Sequence, residues 1–283
     1  MENTNDVYLC QVNETVSCGA CCGLYNLSNL SRAKLETLLS KRTKEFSTVP
    51  RTEDAMYKFR RKNKDSYRLS RPFPEFHHCS FLGFIDDTNN RVGCLLHPAA
   101  PGNKNVDYRF FSWYGEKACR RYFCPTTYKL TAAYLSILTL VIDNWYDYGL
   151  IVTEHALLAA YFQEVESRIG RDVTKSDYTQ NIEAMNALKS FAKLKSSWPY
   201  RREGAPGPCN FFFENGLYPR PDVFRSRQDI RLSKYEKILK ELDSGFSTLQ
   251  ELEAAEQLLD NLFGQAERAI APSSPPHRSG DAF

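Results

Sequence analysis

The stretch Cys18-Gly19-Ala20-Cys21-Cys22-Gly23 constrains this chain more than any other, because it packs three thiols into five residues. A two-residue gap lets one tight turn aim the Cys18 and Cys21 sulfurs at a single metal. Gly19 and Gly23 can take the positive φ angles that such a turn, or the exit from it, often needs. The adjacent pair Cys21-Cys22 fits one mononuclear ion poorly, since neighbouring side chains in extended chain point apart. One of the two is then a core residue or a ligand of a second site, or the site holds more than one metal atom.

The other thiols lie in the same part of the chain. Of nine cysteines in 283 residues, eight fall in the first 124 (10, 18, 21, 22, 79, 94, 119 and 124), and only Cys209 lies beyond. In a secreted chain that density would suggest disulfides. The N-terminus, Met-Glu-Asn-Thr-Asn-Asp, carries acids and no apolar core, so it does not read as a secretory signal. The longest apolar run, Leu130 to Ile142, is interrupted by threonine, serine and tyrosine and is too short to span a bilayer. Hydrophobic content of 42% and charged content of 25% are those of a soluble globular protein. The expectation is a cytoplasmic protein without a membrane partner, in which clustered thiols bind metal.

Residues 72–124 supply further ligands. Pro72 and Pro74 lead to His77-His78-Cys79, then Phe81 to Ile85 reads as a short strand and Asp86 to Asn90 as a polar turn. The chain returns through Val92 to Cys94-Leu95-Leu96-His97-Pro98, a hairpin with a cysteine on each arm. Cys119 and Cys124 follow, spaced for one helical turn or a loop. His97, between two leucines and a proline, reads as a packing or second-layer residue rather than a ligand. The same holds for His77 and His78, and His155 and His277 read as incidental.

The order Cys-Gly-Ala-Cys-Cys, Cys79-Ser-Phe-Leu-Gly-Phe, Gly93-Cys94-Leu-Leu-His-Pro and Cys119-x4-Cys124 closely resembles the bacterial cysteine-cluster proteins called the CxxCxxCC or YkgJ-type family. That family is described as zinc- or iron-chelating, and some relatives are regarded as iron–sulfur proteins. The resemblance covers roughly residues 10–125 and implies a metal site, not a reaction. One departure stands out: the leading cysteine of the family pattern, three before Cys18, falls on Thr15. Either Cys10 substitutes from upstream or the ligand set is reduced. Flagellin-lysine N-methylases resemble this family in their cysteine cluster. By that analogy the alternative function is a SAM-dependent protein lysine N-methyltransferase or another redox enzyme, although no SAM-binding loop is recognisable.

Soft thiolates suit zinc and iron–sulfur clusters and disfavour magnesium or calcium. One structural zinc takes four ligands, fewer than the thiols present. A cysteine-bound iron–sulfur cluster with spare thiols fits, as do two metal sites, and the cluster is favoured over zinc. Cys18, Cys21, Cys94 and Cys119 or Cys124 form the core ligand set, with Cys22 and Cys79 next, while Cys209 reads as a bystander.

The expected fold is α+β: a small cysteine-rich metal-binding domain over residues 1–126, an all-helical domain over 127–270, and a disordered tail over 271–283. In the first domain, residues 24–46 read as a helix capped by Ser28, Asn29 or Ser31. From Arg32 to Arg71 the chain carries thirteen Lys/Arg against five Asp/Glu, with Tyr57, Phe59 and Tyr67 among them. That is the composition of a nucleic-acid surface. The whole-chain charge of only +3 favours a solvated strand or hairpin with inward aromatics, so nucleic acid is disfavoured as a partner.

In the second domain, helices are expected over 128–148 (closed by Gly149), 153–168 (ended by Gly170) and 176–196. A helical hairpin follows over 228–243 and 247–268. In it Leu232, Tyr235, Leu239 and Leu242 face Leu249, Leu252, Leu259 and Leu262, and Ser247 with Gln250 forms a capping box. This half offers a surface for a partner protein. Glu154, Glu164 and Glu166 read as ordinary exposed helical carboxylates. Among Trp113, Tyr114, Trp145, Tyr146 and Tyr148, a core role is favoured over a pocket lining.

Overall fold

A computed structural model describes residues 7–27, 31–65, 78–112, 114–205 and 220–271. Tyr67, His77, Trp113, Cys209, His277 and the expected tail beyond residue 271 lie outside the described residues. The fold is mixed and mostly helical, with two very small sheets.

The first helix is α1 (Arg32–Ser47), which starts later than the spacing suggests because Ser31 caps it, its side chain accepting from the Lys34 amide. Leu35, Leu39, Arg42 and Phe46 are its buried positions, one inward stripe at helical spacing. The basic segment expected as a strand or hairpin is instead a helix, α2 (Glu53–Asp65). Met56, Phe59 and Asn63 recur at intervals of three and four along it and are buried, a period that only a helix can turn to one side. Phe59 stacks on Phe81 and meets Phe46 edge-on, with ring centroids 5.4 and 5.1 Å apart. Tyr57 stays exposed.

The expected hairpin is present. β1 (Leu82–Phe84) pairs antiparallel with β2 (Val92–Cys94), with Leu82 opposite Cys94. The Thr43 hydroxyl of α1 donates to the Phe84 carbonyl at 3.0 Å and accepts from the Phe84 amide at 2.7 Å, fastening helix to strand. Past the hairpin comes α3 (Glu116–Arg121), which carries Cys119.

The single helix expected over 128–148 is three: α4 (Thr126–Lys129), α5 (Ala132–Val141) and α6 (Trp145–Ile151). Thr131 and Asn144 divide them, because each side chain accepts from an amide three residues on and so opens a new helix. Then α7 (His155–Ile169) ends at Gly170, whose φ of 71° is the left-handed cap expected there. α8 (Ile182–Ser197) begins after Asn181, because a 3-10 turn at Lys175–Asp177 occupies the expected start.

The last quarter corrects two expectations. It is not purely helical, since β3 (Phe224–Arg225) pairs in parallel with β4 (Gly245–Phe246). No long helical hairpin forms either: α9 (Glu236–Glu241) is one short helix against α7, whereas α10 (Leu249–Ile270) lies along α8 and α7. The capping box of α10 is Thr248 with Glu251, one residue beyond the expected pair. Leu232 is 72% exposed and joins no core.

Two apolar cores result, and they interlock. One gathers α1, α2, β1 and β2; the other gathers α5 and α7 to α10. α6 serves both, giving Trp145, Tyr146 and Leu150 to the first and Tyr148 and Ile151 to the second. Leu9 and Val16 from the N-terminal segment enter the second core. Gly149 lies within α6 rather than closing a helix, and its role is close approach. A Cβ there would sit 2.1 Å from the Tyr25 hydroxyl oxygen. That hydroxyl reaches the Trp145 and Tyr146 carbonyls at 3.0 and 3.2 Å. Gly149→Ala should therefore destabilise the fold by about 1–3 kcal/mol, the usual range for overpacking a tight core. Tyr25→Phe should relieve part of that penalty when combined with it. Denaturant melts of the two single variants and the double variant measure this, and strict additivity would show that the two residues do not meet.

Candidate metal centre

The eight described cysteines are all free thiols, and they come from five separated parts of the chain. The first part is a tight loop from Cys10 to Cys18. Gln11 and Ser17 form an antiparallel bridge, and the Cys18 amide donates to the Cys10 carbonyl at 2.9 Å. Asn13 turns the loop by accepting from the Thr15 and Val16 amides at 2.9 and 2.8 Å. Thr15, at the position where the family pattern has its leading cysteine, is exposed at the tip of this turn. Cys10 is the residue that faces Cys18 across the loop.

Cys21 and Cys22 follow in a 3-10 turn, Ala20–Cys22, which ends at Gly23 with φ 79°. Gly23 thus takes the positive φ expected of it. Gly19 does not: its φ is −120°, and a Cβ there would meet Leu24 and Val92 at 3.1 Å. The Ala20 amide donates to the Cys18 sulfur at 3.3 Å.

Backbone bonds tie this segment to the hairpin. The Cys79 amide donates to the Cys22 carbonyl at 2.8 Å, and His78 Nδ1 donates to the Gly23 carbonyl at 2.7 Å. Val92 is held from both sides, its amide donating to the Ser17 hydroxyl at 2.7 Å and its carbonyl accepting from the Gln11 amide group at 2.8 Å. Cys94 ends β2. His97 is exposed beyond it and accepts from the Ala99 amide at 3.1 Å. Cys119 in α3 lies 3.0 Å from the Ser112 hydroxyl, and its carbonyl accepts from Arg109 at 3.4 Å. Cys124, in the link to α4, donates to the Thr126 hydroxyl at 3.3 Å.

Their electrostatic surroundings show which thiols share a neighbourhood. Burial, then Cys21 and Cys124, push the Cys10 thiol up to about 12. Cys18 is raised well above its ordinary value by burial and then by Cys21, Cys10 and Cys124. Cys94 is raised by burial and then by Cys79, with Cys119 also repelling it and Arg109 opposing the rise. The hydrogen bond between Cys21 and Cys22 lowers Cys21 and raises Cys22 well above its ordinary value, with burial, Cys79 and Cys94 adding to the rise at Cys22. Burial lifts Cys124, with Cys21 and Glu154 contributing. A cation entering this region must displace thiol protons, as thiolate coordination generally does.

The donor set suits a soft or borderline metal, with eight free thiols of which Cys79 is buried and the others half-buried, and with Arg109 at the Cys119 carbonyl. Asp107 fixes that arginine at 2.7 Å and Arg120 at the same distance. Among the described residues, no three His, Cys, Asp or Glu side chains already stand as a coordination shell. Tyr8, Tyr114 and Tyr122 are half-exposed around the thiols, and each is raised by burial and by nearby cysteines. No family model, characterised protein or solved structure matches this chain. No described helix is long and apolar enough to cross a membrane.

A polar cluster that the spacing does not reveal is buried where α7, α8 and the chain near α9 meet. Glu154 is not an exposed helical carboxylate; it is fully buried at the start of α7. It pairs with Lys195 at 2.9 Å and Arg220 at 2.6 Å, and Arg220 continues to Asp243 at 3.0 Å and Glu241 at 3.1 Å. The Arg201 guanidinium stands 3.7 Å from Asp243. Of the other two carboxylates, Glu164 pairs with Arg168 at 2.8 Å and Glu166 accepts from Tyr134 at 2.6 Å. The one sequence signal was Lys195, which shares the inward spacing of Leu188 and Phe191 on α8. Burial alone would lift the Glu154 carboxyl, but Arg220 and Lys195 hold it below its ordinary value.

Glu154→Ala should destabilise the protein by about 3–5 kcal/mol, because it strands two buried cations. The folded-state value of Glu154 is depressed, so its contribution is present above the unfolded carboxyl value of roughly 4.3 and fades as pH falls through the folded one. Denaturant melts of wild type and variant from neutral to acid pH check both size and sign. A loss below about 1 kcal/mol at neutral pH would contradict the pairing.

Proposed function

We propose that this is a metal-binding protein whose clustered cysteine thiolates hold an iron–sulfur cluster, with zinc as the competing occupant. One observation carries the reading: the described cysteines are all free thiols, and backbone bonds bring thiol-bearing segments together, Cys18 beside Cys10 across the N-terminal loop and Cys22 beside Cys79 from 57 residues away. Gathering so many half-buried free thiols in one half of the chain has no packing advantage over ordinary apolar residues, whereas soft-metal coordination uses them. The motif order resembling the CxxCxxCC or YkgJ-type proteins supports the same reading. So does the surplus of thiols over what one tetrahedral zinc requires.

Cys18, Cys21, Cys22, Cys79, Cys94, Cys119 and Cys124 would supply the ligands, joined by Cys10 in place of the absent leading cysteine. A bound cluster would supply one-electron chemistry or a structural brace, and zinc a brace alone. A cytoplasmic location and a partner protein engaged through the helical half belong to the same proposal. No feature of the described residues selects a methylase-like activity over metal binding.

Anaerobic purification followed by visible absorption and assay of iron, sulfide and zinc tests this reading. The expected result is a brown protein with matched iron and sulfide. A colourless protein carrying only zinc, unchanged by anaerobic reconstitution, would overturn the cluster assignment and leave a structural metal module. Cys18→Ser or Cys94→Ser should lower metal content sharply, while Cys209→Ser should not. Because the ligands join distant segments, removing the metal should also lower the melting temperature, and an unchanged melt after verified removal would count against a bracing role.

A further inference from the structure

Large apolar side chains scattered singly over a surface are ordinary, but a contiguous set of them marks a binding surface. Between α2 and α4 such a set exists: Tyr57, Phe110, Tyr114, Tyr122, Phe123 and Tyr128 are each 42–60% exposed, so their rings meet solvent. Contacts on the backbone beneath join them. Tyr57 of α2 meets the buried Phe111 edge-on at 5.4 Å, and Arg60 donates to the Phe111 carbonyl at 3.4 Å, which lays α2 against the segment bearing Phe110. The Ser112 hydroxyl stands 3.0 Å from the Cys119 sulfur of α3 and accepts from the Gly115 amide at 3.1 Å, which seats Tyr114 beside that helix. α3 ends at Tyr122 in extended backbone, where neighbouring side chains point apart. Tyr122 and Phe123 are nevertheless both exposed, so this ridge stands clear of either core. The Thr127 amide then bonds back to the Cys124 carbonyl at 2.9 Å and keeps Tyr128 of α4 close to it.

Cations lie among the rings. Residues 106–129 hold five Lys/Arg against two Asp/Glu, and both acids are taken, Asp107 by Arg109 and Arg120 and Glu116 by Arg120. Lys117, Arg121 and Lys129 are exposed and have no acidic partner among the described residues. Lys117 and Arg121 are four apart on α3 and so share one of its faces. Composition alone points to residues 32–71 as the basic, aromatic stretch. There, however, Phe59 is buried, Lys58 pairs with Asp54 at 2.6 Å and Lys62 with Glu45 at 3.2 Å. What that stretch leaves open is Tyr57 and Arg61, again four apart on one helix face, and Tyr57 adjoins the second patch through Phe111.

We propose that this surface binds a single-stranded polynucleotide, its bases stacking on the exposed rings and its phosphates meeting Arg61, Lys117, Arg121 and Lys129. Rings interleaved with cations suit an unpaired strand, because each nucleotide brings one flat base and one negative charge. A duplex keeps its bases stacked inside and would leave the rings without partners. Other partners match the chemistry less well. Lysine is depleted at the centres of protein–protein interfaces, whereas two lysines stand among these rings. A helix lying on a membrane buries a long apolar face, but α3 is six residues long and four of the six exposed rings are tyrosines. This activity goes beyond metal binding and does not depend on it.

The test uses the full-length protein as purified, titrated into fluorescein-labelled oligouridine or oligothymidine of about twenty nucleotides while anisotropy is followed at rising salt. Wild type should bind at about 50 mM salt, and four phosphate contacts should give a slope of log affinity against log salt of about −3. The tighter of the two oligonucleotides names RNA or DNA as the ligand. Tyr122→Ala and Phe123→Ala should each weaken binding by about 5–150-fold while leaving the slope unchanged, since stacking releases no counterions. Lys117→Ala and Arg121→Ala should each make the slope shallower by about 0.7. Arg227→Ala, at an exposed arginine in the last quarter of the chain, should change neither. All these side chains are exposed, and matched thermal melts confirm that each variant is folded. Failure of wild type to bind either oligonucleotide at about 50 mM salt would overturn the proposal, and this needs no variant. Full-strength binding by the Tyr122→Ala, Phe123→Ala double variant would overturn it too, by reducing the surface to charge alone. So would capture of anionic phosphatidylserine vesicles in place of either oligonucleotide.

Discussion

The Tyr25 hydroxyl, seated in the groove that Gly149 leaves open on α6, is the contact on which the arrangement of the two cores depends. Tyr25 comes three residues after Cys22, and its ring is buried against Tyr146 with centroids 6.2 Å apart. By bonding to the Trp145 and Tyr146 carbonyls it places the cysteine turn against α6. α6 in turn delivers one set of side chains to each core. A second tyrosine bond repeats the device in the opposite direction, as the Tyr148 hydroxyl donates to the Leu9 carbonyl at 2.9 Å beside Cys10. Buried hydroxyls satisfied by carbonyls fix position more sharply than apolar packing alone, because leaving either group unpaired is costly.

With those anchors in place, the thiol-bearing segments are positioned chiefly by backbone hydrogen bonds. The loop from Cys10 to Cys18 is stitched to β2 through Ser17 and Gln11, and the cysteine turn is stitched to the hairpin through Cys22 and Gly23. Several of these side chains also pack: Cys79 belongs to the first core, Cys22 and Cys94 lie against it, and Cys18 touches both cores and so joins the parts. The buried group of Glu154, Lys195, Arg220 and Asp243 locks α7, α8 and the chain near α9 together. Its charges balance within the cluster, which lets it stay buried without a solvent partner.

Much of this was legible in the residues themselves. The α1 stripe, the hairpin between Phe81 and Cys94, and the Gly170 cap all followed from local rules, since each depends on neighbours within a few residues. Where local rules competed, the outcome differed. The basic charges of residues 53–65 masked a helical period carried by Met56, Phe59 and Asn63. Thr131 and Asn144, hidden inside an apolar run, cut one expected helix into three because their side chains compete for backbone amides.

The sequence by itself determined that Cys18, Cys21 and Cys22 would share one tight stretch and that a hairpin would carry Cys94, because both depend on neighbours a few residues away. It also determined that Cys21 and Cys22 would strain any account based on one ion. Only the tertiary structure decided that Cys10 faces Cys18, that Cys22 adjoins Cys79, and that Glu154 is buried between Lys195 and Arg220. Those contacts join residues up to 66 apart within the ionic cluster and 57 apart between Cys22 and Cys79. No periodicity reports on them, because they are set by how tyrosine hydroxyls and α6 dock the two cores rather than by any nearby residue.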